Sequence, residues 1–314
     1  MRIIDHIITK NHASSACAKL HADNLTFRSN AQHIIPVTAH AYYDAGFPVG
    51  KMDQQNHFNR LDNEVAAAAL KAIGEPELER LIRFSSVRPF HFPTQDGNDI
   101  TIHNNSLTQG SSQSSIASGV VMDNTTHRAR GVGHVHVFSL ADDTNFFGSV
   151  GELAESATLY SQDVLANQLK LNPKKGGIAM RFPSQQDRAI LEPLFGEIKS
   201  SVVCVGVCVG TDEDRSAHLT KWFTDAKAQL DHIVSMAEVG EVRDNCHIQS
   251  MYRLISNNFT QQAGWIAANY PKHIVDPFLG AHHDLLVSVT TKLLLIDPTI
   301  LPTPTARNAN NNSR

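Results

Sequence analysis

The order of its sequence patterns limits the fold of this chain more than any single motif does. Short β-rich runs, such as VGKMD, HVHVFSL and SVVCVGVCVG, each predict one strand, and they alternate with helical segments up to about residue 210. Between Asp214 and Ala237, apolar residues recur every three or four positions, and the helical pattern then continues. We therefore predict an α+β protein, with a sheet packed on helices in the first part and helices alone in the second.

Composition excludes several other classes of protein. The 314 residues are 41% hydrophobic and 18% charged, and no run approaches the roughly 18 consecutive apolar residues of a membrane span. The opening MRIIDHIITKNH lacks the apolar core of a secretion signal, and the four cysteines form no CxxC pair. We expect an intracellular protein, cytoplasmic or nuclear, with reduced thiols and no membrane association.

Charge argues against a protein whose whole surface binds nucleic acid. The formal net charge is −4, whereas proteins of that class usually present a basic face. A basic groove confined to one part of the surface remains compatible with this balance.

Carboxylates in two separate stretches stand out for their positions. Asp142 and Asp143 lie side by side in FSLADDTNFFGS, between strand-like flanks, and Asp53 ends the strand-like VGKMD. Taken singly, each has an ordinary explanation, because Asp commonly caps helices and forms solvated turns. Their significance depends on whether the fold brings them together.

The stretch around Asp53 resembles the first palm motif of reverse transcriptases, in particular those of retrotransposons without long terminal repeats. That motif commonly reads K-apolar-D-x-x-N-A-F-N, and KMDQQNHFN differs from it by His57 in place of alanine. The matching positions are Lys51, Asp53, Asn56, Phe58 and Asn59.

Three further stretches resemble later motifs of the same family. SLTQGSSQSS is similar to the R-Q-G-x-x-x-S-P motif at Gln109 and Gly110, although Ser115 replaces its proline. FSLADDTNF is similar to the Y-A-D-D hairpin, and LNPKK to the L-N-x-x-K motif at Lys175. The motifs occur in the family's order.

The resemblance extends from about residue 28 to 295 and implies a right-hand polymerase architecture. On this basis residues 1–48 are expected to be a remnant of the fingers and residues 49–200 an antiparallel palm sheet packed on helices. Residues 201–300 are expected to form a thumb-like helical region, and the low-complexity residues 301–314 a disordered tail.

The resemblance also implies an activity, RNA-directed DNA synthesis by nucleotidyl transfer to a primer 3′-hydroxyl. Asp53, Asp142 and Asp143 would be catalytic and would hold two Mg²⁺ ions, or Mn²⁺, because these hard cations prefer carboxylate oxygens. Lys175 would be a further catalytic residue that protonates the departing pyrophosphate.

The same resemblance implies the substrates and partners. Phe58 would lie under the incoming sugar and exclude a 2′-hydroxyl, whereas Gln109 and Gly110 would contact the nucleotide or template. The partners would be an RNA template, a DNA primer and deoxynucleotide triphosphates. Without the motif around it, Phe58 is equally well explained as a core residue.

The upstream part of the family's pattern is not recognisable. Only 52 residues precede Asp53, and their few basic residues form no triphosphate-binding pattern. We therefore expect a chain truncated in the fingers, either active or a non-catalytic remnant that binds nucleic acid weakly. A third hypothesis, an unrelated α/β protein with a simple ADD turn, requires Asp53 to lie far from Asp142.

Overall fold

The structure is a computed structural model that describes residues 2–22, 24–25, 31–86, 90–93, 99–102, 105–108, 112–140, 142–239 and 245–294. It divides into two units, Met1–Thr211 and Asp212–Arg314. The tail expected at 301–314 lies outside the described residues. The assignment of parts of the chain to fingers, palm and thumb stays a prediction.

In its described residues, the first unit combines helices with three separate sheets. In chain order its elements are α1 (Arg2–Lys19), α2 (Ala31–Asp44), β1 (Val49–Asp53), α3 (His57–Arg60), α4 (Asn63–Ala72), α5 (Pro76–Ser86), β2 (Phe90–Pro93), β3 (Asp99–Ile102), α6 (Ser112–Arg130), β4 (His136–Leu140), β5 (Asp143–Phe147), α7 (Val150–Ala166), β6 (Gly177–Ala179), α8 (Gln185–Phe195), β7 (Ile198–Lys199), β8 (Val202–Cys204) and β9 (Val207–Val209).

The described residues of the second unit are helical except at Tyr270 and Pro271. It contains α9 (Asp212–Val239), α10 (Asn245–Leu254), a π-helical turn (Ile255–Phe259), α11 (Thr260–Asn269) and α12 (Lys272–Leu294). Its core is formed by Leu230, Ile233, Phe259 and Val289 among others, each 5% exposed or less. The α+β class predicted from the pattern is thus confirmed.

The central sheet of the first unit has five strands in the order β4-β5-β1-β6-β7. All neighbours in this sheet are antiparallel except β6 and β7, which are parallel. β2 pairs with β3, and β8 with β9, in two separate two-stranded sheets. The strand predicted at VGKMD and the hairpin predicted around ADD are both confirmed.

The two faces of the central sheet carry different cores. Met52, Phe146 and Ile178 point to one face, which we call the back, and belong to the large cluster formed with α4, α6, α7 and α8. On the opposite, front face, Val49 and Phe147 join a smaller cluster with α2 and β9. Burying one such phenylalanine contributes roughly 2–3 kcal/mol.

One strand predicted from sequence is wrong. SVVCVGVCVG reads as a single strand, but the chain turns back at Val205 and Gly206, whose φ angles are 50° and 79°. Two consecutive residues with positive φ form a tight hairpin connection, here between β8 and β9. Cys204 and Cys208 consequently lie on different strands, both buried and neither in a disulfide.

No helix among the described residues combines the length and apolarity that crossing a membrane requires.

Candidate active site

The ends of β1 and β5 bring the sequence-predicted acids together. Asp53 is the last residue of β1 and Asp143 the first of β5, and the antiparallel register pairs them directly. Asp142 immediately precedes Asp143, in the turn of the β4–β5 hairpin. Directly opposed residues of an antiparallel pair have Cα atoms about 4.5–5.5 Å apart. The two strand ends therefore lie close together, as a shared site of Asp53, Asp142 and Asp143 requires.

The electrostatics of this cluster are unfavourable for three bare charges. Burial raises the pKa of Asp53, Lys175 lowers it, and Asp143 and Asp142 raise it. Burial also raises the pKa of Asp142, a hydrogen bond to its own backbone N–H lowers it, and Asp143 raises it. The neighbouring carboxylates thus make ionisation of Asp53 and Asp142 more costly, and nearby positive charge relieves this effect.

Asp53 is the most buried of the three acids. It is 5% exposed. Its Oδ2 atom is buried and has no hydrogen-bond partner among the described residues. A buried carboxylate oxygen without a partner is costly, and a cation is one way to satisfy it.

Lys51 provides one compensating charge. It lies two residues before Asp53 on the same face of β1, and its Nζ is 3.0 Å from Asp143 Oδ1. The lysine side chain is 13% exposed and that of Asp143 26%, so the pair is only partly screened by water. The motif match included Lys51, but this contact was not predicted from the sequence.

Lys175 provides a second positive charge, on a turn held against the end of β1. The Asn172 N–H donates to the Asp53 carbonyl at 2.8 Å, and the Lys175 N–H donates to the Asn172 carbonyl at 3.1 Å. A Cβ on Gly176 would lie 3.1 Å from the Lys51 carbonyl, so a larger residue there would push the turn and β1 apart by a few tenths of an ångström. Lys175 itself is exposed.

Phe58 lies on α3, just beyond the end of β1. The chain reverses at Asn56, which has a left-handed φ of 51°, and α3 begins at the next residue. Phe58 is half-buried and packs against the large core cluster, so its ring is both a packing residue and partly accessible.

The structure does not describe the two residues predicted to contact the nucleotide or template. Gln109 and Gly110 lie outside the described residues. Helix α6 begins shortly after them, at Ser112.

A divalent cation suits this donor set, although the side chains are not arranged around one. Within the described residues, no group of three or more His, Cys, Asp and Glu side chains forms a metal-holding arrangement. The unpartnered Asp53 Oδ2 and the hard carboxylates beside it are nevertheless the oxygen ligands that Mg²⁺ prefers. Binding through Asp143 Oδ1 would compete with Lys51 for that atom.

Comparisons with known proteins give only distant matches. No protein-family model matches the chain, and no curated protein matches it significantly. Among solved structures, telomerase from Candida albicans in complex with the TWJ fragment of telomeric RNA has a TM-score of 0.47 at 12% identity, covering 93% of this chain and 52% of that one. Apo telomerase from Candida tropicalis has a TM-score of 0.48 at 10% identity, covering 94% and 50%.

The chain therefore spans about half the length of the telomerase chains that it matches. Both TM-scores are below 0.5, and neither similarity assigns a role to any residue of this chain.

Proposed function

We propose that this chain is a reverse transcriptase-like nucleotidyltransferase of the non-long-terminal-repeat retrotransposon type. Its reaction is RNA-directed DNA synthesis, the transfer of a deoxynucleotide to a primer 3′-hydroxyl. One observation supports this above all. The direct pairing of Asp53 with Asp143, with Asp142 adjacent, gathers the three acids of two separate motifs at one edge of a sheet.

The proposed metal ligands are Asp53, Asp142 and Asp143. Two Mg²⁺ ions, or Mn²⁺, would supply charge stabilisation of the attacking and leaving oxygens in such a site. The raised pKa values of Asp53 and Asp142 support a cation-binding role, because the folded chain alone does not compensate these carboxylates fully. The orphaned Asp53 Oδ2 supports it independently.

The surrounding residues have proposed roles that follow from position and charge. Lys175 is close enough to act electrostatically on Asp53 and Asp142, and as an exposed ammonium group it can protonate a leaving pyrophosphate oxygen. Phe58 presents a half-buried ring beside the end of β1, where it would exclude a 2′-hydroxyl from the nucleotide sugar.

The proposed partners are an RNA template, a DNA primer and deoxynucleotide triphosphates. Gln109 and Gly110 retain their proposed contacts to nucleotide or template. These contacts come from the resemblance of QG to the family's motif.

A second candidate is a non-catalytic remnant of the same architecture. The ion pair between Lys51 and Asp143 favours it, because it already neutralises one of the proposed metal ligands. In that case the acids would remain adjacent in the fold without binding a cation.

Primer extension separates the two candidates. The full chain with an RNA template, a labelled DNA primer, deoxynucleotides and Mg²⁺ is expected to lengthen the primer, and Asp142→Asn to abolish extension. Glu155→Gln is a matched control, since it removes one negative charge from an exposed position on α7. Equal background for all three proteins would overturn the polymerase proposal. Absence of Mn²⁺ binding by calorimetry in a folded chain would then favour the remnant.

A further inference from the structure

We infer that His57 is a positioning residue, which ties the end of β1 and the Phe58 turn to helix α6 through a buried hydrogen-bond chain. The inference concerns an arrangement of side chains behind the proposed site, and only its effect on nucleotide selection rests on the proposed function. At this position the resembling motif commonly has alanine, which cannot form hydrogen bonds through its side chain.

The chain runs through five buried side chains, each 2% exposed or less. His57 Nε2 is 2.5 Å from Ser118 Oγ on α6, and His57 Nδ1 is 2.5 Å from Gln54 Oε1. Gln54 Nε2 donates to the Tyr160 hydroxyl on α7 at 2.8 Å, and that hydroxyl lies 2.7 Å from Thr144 Oγ1 on β5.

The orientation of the Gln54 amide sets the direction of this hydrogen-bond chain when His57 is neutral. Because the Gln54 amide nitrogen donates to Tyr160, the Gln54 oxygen must accept, and His57 Nδ1 therefore carries the proton. His57 Nε2 is then an acceptor for the Ser118 hydroxyl. Burial lowers the pKa of His57 to about 4, which keeps this neutral form at physiological pH.

The hydrogen-bond chain includes the residue that directly follows the acid on each of the two acid-bearing strands. Gln54 follows Asp53, and Thr144 follows Asp143. Since successive side chains of a strand point to opposite faces, these two residues lie on the back of the sheet when the acids lie on the front. Tyr160 joins them from α7 and thereby fixes the two strand ends against each other.

At its other end the chain reaches the Phe58 turn. His57 begins α3, and its ring contacts that of Phe58 edge to face, with centroids 5.3 Å apart. Ser118 holds His57 to α6, the helix that begins two residues after Gly110 in the sequence. Loss of this link should allow the Phe58 ring to shift relative to the acids.

The competing explanation is that these buried polar groups stabilise the fold without positioning Phe58. Two buried hydroxyl groups elsewhere in the protein serve as controls for it. Ser156 is also fully buried and donates from Oγ to the Ala129 carbonyl at 2.8 Å. Tyr43 is 1% exposed and donates its hydroxyl to the Ser200 carbonyl at 2.6 Å. Ser156→Ala and Tyr43→Phe therefore each remove a buried hydroxyl outside the hydrogen-bond chain.

Single-nucleotide incorporation tests the effect on selection. Ser118→Ala and Tyr160→Phe are expected to raise the KM for a deoxynucleotide and to lower its preference over the ribonucleotide by about fivefold, the effect of one lost buried hydrogen bond. The kcat should change less than the KM. Ser156→Ala and Tyr43→Phe should leave both quantities within about twofold, since a buried hydrogen bond outside the chain affects stability rather than selection. If the two control variants changed the KM and the nucleotide preference as much as Ser118→Ala and Tyr160→Phe do, the inference would be overturned.

Nuclear magnetic resonance decides the arrangement whether or not the protein extends a primer. We expect ¹⁵N shifts showing His57 with a protonated Nδ1 and an unprotonated Nε2 at pH 7. Ser118→Ala should displace the amide resonances of Phe58 and Asp53, whereas Ser156→Ala should not. The opposite tautomer, or no displacement at Phe58, would overturn the inference. An inactive parent protein with the expected spectra would instead refute only the proposed polymerase function.

Discussion

Replacing Asp53 by asparagine is expected to stabilise the metal-free protein while removing its response to metal. This outcome is unusual, because most substitutions at buried positions destabilise a protein. Asparagine matches the volume of aspartate, removes one of three adjacent negative charges, and offers an N–H₂ group that can donate to a neighbouring carboxylate. It also removes the buried, unpartnered Oδ2 charge.

The magnitude follows from the register of the two strands. Asp53 lies opposite Asp143, with Cα atoms about 5 Å apart, and two charges at about that distance repel by ~1–3 kcal/mol at an effective dielectric constant between about 80 and 20. Lys51 and Lys175 offset part of this repulsion. We expect a net gain of ~0.5–1 kcal/mol, which raises the melting temperature of a unit of this size by about 1–3 °C.

The pH dependence of unfolding gives an independent check on the stabilisation expected for Asp53→Asn. The pKa of Asp53 in the folded protein is raised above 3.8, so the folded state holds this proton more tightly than the unfolded state. Stability from this group is present below pH 3.8 and is lost as pH rises through the folded pKa. The advantage of Asp53→Asn over the parent should therefore disappear in acid and grow towards neutral pH.

Thermal unfolding in a chelator, with hydrogen exchange of β1 and β5 amides to localise the change, measures this effect. Mn²⁺ should raise the melting temperature of the parent and of the control Glu155→Gln, but not that of Asp53→Asn. A metal-free Asp53→Asn protein that melts below the parent at pH 7 would refute the argument, because it would show no repulsion to relieve.

Two further predictions concern the residues next to this cluster. Phe58→Ala should allow incorporation of ribonucleotides and lower the deoxynucleotide preference by at least about tenfold, since one steric contact is worth roughly 1–3 kcal/mol of discrimination. Single-nucleotide kinetics measure this preference, and an unchanged value would leave Phe58 as a packing residue only. For His57, burial lowers the pKa from 6.5 to about 4. Its contribution to stability is therefore present above pH 6.5 and is lost as pH falls towards 4, by up to about 3 kcal/mol. His57→Gln should flatten this part of the pH–stability curve in urea titrations, and an identical curve for both proteins would contradict the expected burial of a neutral ring.

The pattern of the sequence was sufficient for the elements that depend on local signals. The VGKMD strand and the ADD hairpin have apolar residues at the spacing of strands, bounded by polar turns, and both were predicted. The long helix α9 also follows a clear period of apolar residues. The β8–β9 hairpin was missed because its turn uses Val205, and a β-branched residue with positive φ is rare enough to give no warning.

The proximity of Asp53 and Asp143 could not be derived from local pattern alone. The two residues are far apart in sequence, and their pairing depends on β5 lying beside β1 in the order β4-β5-β1-β6-β7. Only the resemblance to a known order of motifs suggested it. The Lys51–Asp143 ion pair had no sequence signal either, since it depends on the same strand order.

The polar residues behind the sheet show most clearly what sequence reasoning omits. Gln54, His57 and Thr144 look like surface residues by type, because polar side chains are mostly exposed. All three are buried, and each has a hydrogen-bond partner within the series of side chains that runs from Ser118 through Tyr160 to Thr144. If these three positions were apolar, the two strand ends would be held only by packing, which tolerates small shifts. Directional hydrogen bonds at the residues next to Asp53 and Asp143 restrict such shifts, so they should fix the separation of the two acids whether or not the proposed cations bind.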